Sequence, residues 1–130
     1  MAEVRLNKVV KRYGKLETVH GIDLDLAPGS TTALIGHTGA GKTTLAALVG
    51  RFYDISEGSV LLDGIDVRDV TIRSLRRAIG VVSQDPFLFS ATVRENISFG
   101  VGDATDAEIE RAAELAQARE FIERLPNGYD

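Results

Sequence analysis

The sequence has no cysteine, which excludes disulfides, thiolate metal sites and thiol catalysis. It has no long apolar run either: stretches such as "LAALVG" and "IGVV" fall far short of the roughly 18 residues that a membrane-crossing helix needs. The opening "MAEVRLNK" has charges with no apolar core behind them, so no signal peptide is expected. Positive charge is not in excess. A net charge of −4 and a pI near 5.2 argue against a nucleic-acid footprint and against a polybasic membrane patch. That balance leaves a nucleotide ligand open, because local backbone dipoles bind phosphate whatever the net charge. No repeat, low-complexity segment or Pro/Gly/Ser linker divides the chain. What is present is ordinary for a globular protein. The chain has 130 residues, 44% of them hydrophobic and 26% charged, enough for one domain with a real core.

Val4 to Tyr13 is rich in valine and leucine and reads as a strand. In "GIDLDLAPG", Ile22, Leu24 and Leu26 alternate with Asp23 and Asp25, predicting a half-solvated strand closed by a Pro28-Gly29 turn. "TTALI" predicts a short buried strand, then a glycine-rich loop, then a helix with Leu45, Leu48 and Val49 on one side. Asp63-Gly64 between two apolar runs is a hairpin signal. Residues 72–77 suit a short helix, and "IGVV" a further buried strand. From Thr105 the pattern turns helical. Thr105 and Glu108 match a capping box, with Ile109, Ala112, Ala113 and Ala116 at helical spacing behind it. Phe121, Ile122 and Leu125 carry the pattern up to Pro126. The order predicts an α/β fold that becomes helical at its end.

In "LIGHTGAGKTT", Gly36, Gly41, Lys42 and Thr43 satisfy G-x-x-x-x-G-K-S/T. Glycines let the backbone curl so that successive N–H groups point inward as a nest. The first turn of the following helix adds its unpaired N–H groups and the positive end of its dipole. Lys42 then reaches the β/γ-phosphates and the Thr43 hydroxyl ligates magnesium. His37 lies in a loop whose backbone does the binding, so it is expected to be exposed and without a catalytic role. His20 has no second His or Cys with which to form a metal site and is assigned none.

The phosphate loop alone leaves kinases, GTPases, helicases and transport ATPases open, although no guanine-reading Asn-Lys-x-Asp stretch is present. Two further stretches, "GSVLLDGIDVRDVTIRSLRRAIG" and "IGVVSQDPFLFSATVRENISFG", closely resemble the ATP-binding domain of ABC transporters of the exporter type. The resemblance runs from about Val4 to Asp130. It implies a P-loop NTPase-type α/β fold: an ABC ATPase core with an antiparallel β portion, truncated, leading into the start of a helical subdomain. Residues 1–84 would form the nucleotide-binding core, and 85–130 the Q-loop continuation and the incomplete helical subdomain.

Carried over by position, Tyr13 in "KRYG" corresponds to the A-loop aromatic that stacks on adenine. Gly36 to Thr44 correspond to Walker A, with Gly36, Thr38, Gly39, Ala40, Gly41, Lys42, Thr43 and Thr44 contacting ATP. Gln84 in "VSQD" corresponds to the Q-loop glutamine, which with Thr43 attends Mg2+ and touches the attacking water. Lys42 and Gln84 thus take the catalytic roles. A tyrosine ring stacks on a purine face for roughly 1–3 kcal/mol. Gln84 follows an expected strand whose carboxyl end would lie beside the phosphate loop, where ligands gather in open parallel sheets. The family's second aromatic, two residues before Tyr13, is replaced by Lys11. Phe87, Leu88 and Phe89 are either core or a docking surface. The implied partners are a transmembrane domain or subunit and a second ATP-binding domain, head to tail, with no nucleic acid. The implied location is the cytoplasmic side of a membrane.

Magnesium chemistry also needs an acid at the end of a buried strand. Asp63 sits in a hairpin turn and Asp85 trails Gln84 into a loop, so neither is read as that acid. The resemblance implies that the signature motif, the Walker B aspartate with its adjacent glutamate, the D-loop and the switch histidine follow the equivalent of "LPNGYD". The 130 residues are therefore expected to bind nucleotide weakly at best and to hydrolyse none. Exposed sheet edges and poor solubility are expected too. A non-hydrolysing nucleotide-binding or scaffold fragment is the alternative. The exporter-like "LFSATVRENI" counts against a soluble ABC protein of DNA repair or translation.

Overall fold

The valine-rich opening forms β1 (Val4–Tyr13), and the alternating segment forms β2 (Leu16–Leu26), paired antiparallel from Val4↔Leu26 to Tyr13↔Leu16. The glycine-rich loop leads into α1 (Lys42–Val49). β3 (Glu57–Leu62) then pairs antiparallel with the other edge of β1, and β4 (Ile65–Asp66) returns along β3. The sheet order is β2-β1-β3-β4. The expected Asp63-Gly64 hairpin is present, both residues having positive φ (50° and 79°), as the twist of a tight hairpin requires. A short helix α2 (Ile72–Arg77) follows, capped by Thr71. The computed structural model describes residues 2–130, which pack as two units that divide between Val81 and Val82.

Leu6 and Val9 both face the core, although they lie an odd number of residues apart and strict alternation would send one of them to solvent. A register shift between them, with Lys8 at φ 44°, inserts an extra residue into β1. The Lys8 N–H, lost from the ladder, donates to Asp23 Oδ1 at 2.8 Å. Leu6, Val9, Val19 and Val60 from the sheet, Leu45 and Leu48 from α1, and Val67 and Leu75 make one core. That core seats the helix after the glycine-rich loop directly on the sheet.

Two expected strands do not form. "TTALI" and "IGVV" pair with nothing among the described residues. Ile35 is 94% exposed and Val82 fully exposed. Apolar composition records that a segment can be covered. It supplies no ladder partner, and the sheet ends at β2 on one side and β4 on the other. The sheet seen is therefore the antiparallel portion alone.

The second unit holds α3 (Val93–Ile97), α4 (Asp106–Leu115) and α5 (Arg119–Glu123). The Thr105–Glu108 capping box is formed, and a second one, Thr92–Glu95, precedes α3. The helical pattern does not run unbroken to Pro126. Gln117 at φ 57° ends α4, and the Ala118 N–H closes on Ala113 O at 2.8 Å. Thr105 N–H and Oγ1–H both donate to Glu108 Oε2, at 2.8 and 2.7 Å. These bonds hold the Glu108 carboxyl below its ordinary range, the backbone bond first. A depressed carboxylate stabilises the fold above its unfolded pKa, and the effect is lost as pH falls through the folded value. Thr105→Ala should cost about 1 kcal/mol at neutral pH and less in acid. Urea midpoints at pH 7 and pH 3 check this, and an equal difference at both would remove Glu108 from the cap.

Candidate functional site

The glycine-rich loop closes on itself through Ala40 N–H, which donates to His37 O at 3.1 Å. Gly41 is the N-cap of α1, at φ 84°, and offers no side-chain cap. The first-turn amides of α1 therefore remain for an anion. α2, α3 and α4 differ, one first-turn amide of each (Ser74, Glu95 and Glu108) being taken by Thr71, Thr92 and Thr105. No acidic residue lies in the first turn of α1, so the positive end of its dipole is uncompensated. Lys42 folds its ammonium back over the loop and donates to Gly36 O at 2.6 Å and His37 O at 2.9 Å. An ammonium has three protons to give, so one remains for a ligand. Thr43 is exposed on the same turn, and Thr44 is half-buried. Thr38, Gly39 and Ala40 are exposed in the turn itself. His37 is exposed, as expected, with Nδ1 2.8 Å from Thr38 O. A cleft of about 220 Å3 opens between this loop and β2, with Val19, His20, Ile35, Gly41 and Lys42 in its wall.

Tyr13 stands at the end of the β1–β2 hairpin, 41% exposed. Its ring meets that of Tyr53 edge to face, centroids 5.6 Å apart at 86°. Sequence reading missed Tyr53, which reaches this place because the chain reverses after α1. Arg51 has φ 51°, Phe52 N–H bonds Ala47 O, and Ser56 N–H bonds Val10 O at 2.8 Å. Thr18, also missed, ties Tyr13's hairpin to the glycine-rich loop. Its hydroxyl donates to Lys11 O at 3.2 Å, and its carbonyl packs against Gly41. Arg12 Nε donates to Glu17 Oε2 at 2.8 Å across the same hairpin. The bond to His20, then that to Arg12, holds the Glu17 carboxyl below its ordinary range. The "GKT" motif and Tyr13 in "KRYG" signalled this region in sequence. Pairings across three segments have no local signature.

Gln84 is exposed in a bend of the second unit, and no strand precedes it. Asp63 Oδ1 accepts the Glu3 N–H at 2.7 Å, so its carboxylate is committed to the hairpin. No group of three or more His, Asp or Glu able to hold a metal is found among the described residues. Phe87, Leu88 and Phe89 are not core: Phe87 and Leu88 are more than three-quarters exposed. Phe89 stacks on Phe99 with centroids 4.2 Å apart. The Asn96 side chain clamps their turn, accepting from Phe89 N–H at 2.8 Å and donating to Phe89 O at 3.1 Å.

A family model described as ABC transporter matches residues 19–129. The heterocyst differentiation ATP-binding protein HepA of Nostoc sp. is 52% identical over 112 residues, 86% of this chain and 18% of that protein. An ATP-dependent lipid A-core flippase of Chromohalobacter salexigens is 47% identical over 129 residues, 98% of this chain and 22% of that protein. Among solved structures, a bacterial Atm1-family ABC exporter with ATP bound superposes with a TM-score of 0.90 at 46% identity, over 98% of this chain and 23% of that one. The chain spans about a fifth of the length of the curated relatives it matches.

Proposed function

The chain belongs to the ABC transporter family, as an exporter-type ATP-binding domain, and from that premise we propose that it seats the triphosphate of Mg·ATP on Gly36 to Thr44 and the adenine on Tyr13. The observation that carries this reading is the uncapped start of α1 behind Gly41, with Lys42 already over the loop. The amides of Gly39 and of Gly41 to Thr44 take phosphate oxygens. Lys42 turns its ammonium from two neutral carbonyls to the charged β/γ-phosphates, exchanging ordinary hydrogen bonds for charge-assisted ones. Thr43, exposed beside the last phosphates, offers the hydroxyl for the metal. Thr43 would help to hold magnesium, which when bound would supply charge neutralisation at the phosphates. Gln84 orients water in the same reading, carried over from the family by position.

Hydrolysis needs a carboxylate near that water, and two carboxylates of the first unit are engaged elsewhere. Asp63 holds Glu3, and Asp23, in the cleft wall, holds Lys8. We therefore assign the 130 residues binding without turnover. Residues 1–84 act as the nucleotide-binding core and 85–130 as the Q-loop continuation and the start of a helical subdomain, where the exposed Phe87, Leu88 and Phe99 provide an apolar surface for a transmembrane partner. No helix among the described residues is long and apolar enough to cross a membrane. Attachment at a cytoplasmic membrane face would come through that partner. A second ATP-binding domain, facing head to tail, would supply the other half of the hydrolytic site.

Calorimetric titration tests this. Wild type should bind Mg·ATP and tripolyphosphate, and should not bind adenosine measurably. Lys42→Ala should weaken both triphosphate ligands about ten- to a hundredfold, the worth of a hydrogen bond to a charged group. Phosphate release should stay at the buffer rate. Unchanged affinity in Lys42→Ala would sink the assignment of the loop, and release abolished by that substitution would sink the absence of turnover.

A further inference from the structure

We infer that Lys11 is a positioning residue for the nucleotide base, holding Tyr13 against Tyr53 as a preformed stacking surface. The inference rests on the function proposed above. The Lys11 ammonium lies over the Tyr13 ring, 4.8 Å from its centroid, and 5.8 Å from that of Tyr53. Nζ donates to Asp54 O at 2.7 Å. The Asp54 carboxylate in turn accepts from Arg51 Nε at 2.9 Å, which fixes the loop carrying Tyr53. Tyr13 thus has a cation on one face and a perpendicular ring at its side, yet stays 41% exposed. The uncovered face is where a planar base can lie.

A lone tyrosine at a hairpin end turns freely about χ1 and χ2, and a ligand that stacks on it must stop that motion. Here the lysine has already done so, which lowers the ordering cost of binding. The same ammonium links β1 to the loop after α1, and Thr18 links β1's hairpin to Gly41. Base surface and phosphate loop are therefore built on one frame. Lysine at position 11 thus holds Tyr13 by charge, with Tyr53 supplying the neighbouring ring.

The test compares ATP with tripolyphosphate, which lacks a base, on the full chain. Lys11→Met should weaken ATP about two- to fivefold, the range of an exposed cation–π contact, and leave tripolyphosphate unchanged. Lys11→Arg should restore the ratio. In a Tyr13→Leu background, Lys11→Met should have no further effect on ATP, since the ring it positions is gone. A merely structural lysine would weaken both ligands alike, and that result, or no change in either, overturns the inference. If wild type binds ATP and tripolyphosphate equally, the base is not held and the inference fails while the phosphate loop stands. If wild type binds neither, both readings fail together.

Discussion

A Gly41→Ala protein should lose triphosphate binding by several hundredfold, while Gly39→Ala loses far less. Both glycines sit at φ 84°, so both substitutions incur a left-handed strain of about 1–2 kcal/mol. Space separates them. A Cβ at Gly39 meets nothing within 4 Å, whereas at Gly41 it would stand 2.5 Å from Thr18 O and 3.5 Å from Val19 Cγ2. Thr18 O is backbone of β2 and cannot rotate aside. The start of α1 must lift from the sheet, which displaces the amides that Gly41 leaves uncapped. Overpacking of this kind costs about 1–3 kcal/mol more, and restoring the displaced amides for a ligand costs up to that sum of about 2–5 kcal/mol, roughly 30-fold to several thousandfold in affinity with several hundredfold at its middle. Tripolyphosphate titrations of both variants, with far-ultraviolet circular dichroism to confirm the sheet, decide it. Equal losses at the two positions would mean that contact with Thr18 plays no part.

Gly58→Ala should be the most damaging alanine substitution among the glycines of the first unit, removing about 2–5 kcal/mol of stability. Gly58 has φ 88° and faces the β1 bulge, where a Cβ would lie 2.4 Å from Asn7 O and 2.5 Å from Lys8 O. Both are carbonyls of the central strand. Moving them displaces Leu6 and Val9, which anchor the core. Domains of this size have only about 5–15 kcal/mol in hand, so the variant should unfold at markedly lower urea or fail to accumulate. Gly64→Ala is the control, with φ 79° and nothing within 4 Å of an added Cβ, and should cost only about 1–2 kcal/mol. Urea midpoints for the two proteins test this. Matching midpoints would show that β1 and β3 accommodate a Cβ at the bulge.

The features legible in the chain were those whose cause is local. The Asp63-Gly64 turn, the Thr105–Glu108 cap and the buried side of α1 all depend on residues a few positions apart, and all formed as read. The uncapped glycine-rich loop before α1 was legible for the same reason: the amides proposed to take phosphate are consecutive, so one short motif contains them. "TTALI" and "IGVV" were misread as strands because apolar content is local and a hydrogen-bonded neighbour is not. The Lys8 bulge escaped notice because it exists only where β1, β2 and Gly58 meet.

What the sequence determined by itself is the family and the glycine-rich loop that opens α1, since contiguous motifs carry both. What only the tertiary structure decided is which side chains surround that loop. Lys11, Thr18 and Tyr53 lie on separate segments, and strand pairing with the reversal after α1 brings them together. No pattern of neighbours along the chain encodes a contact made across a sheet.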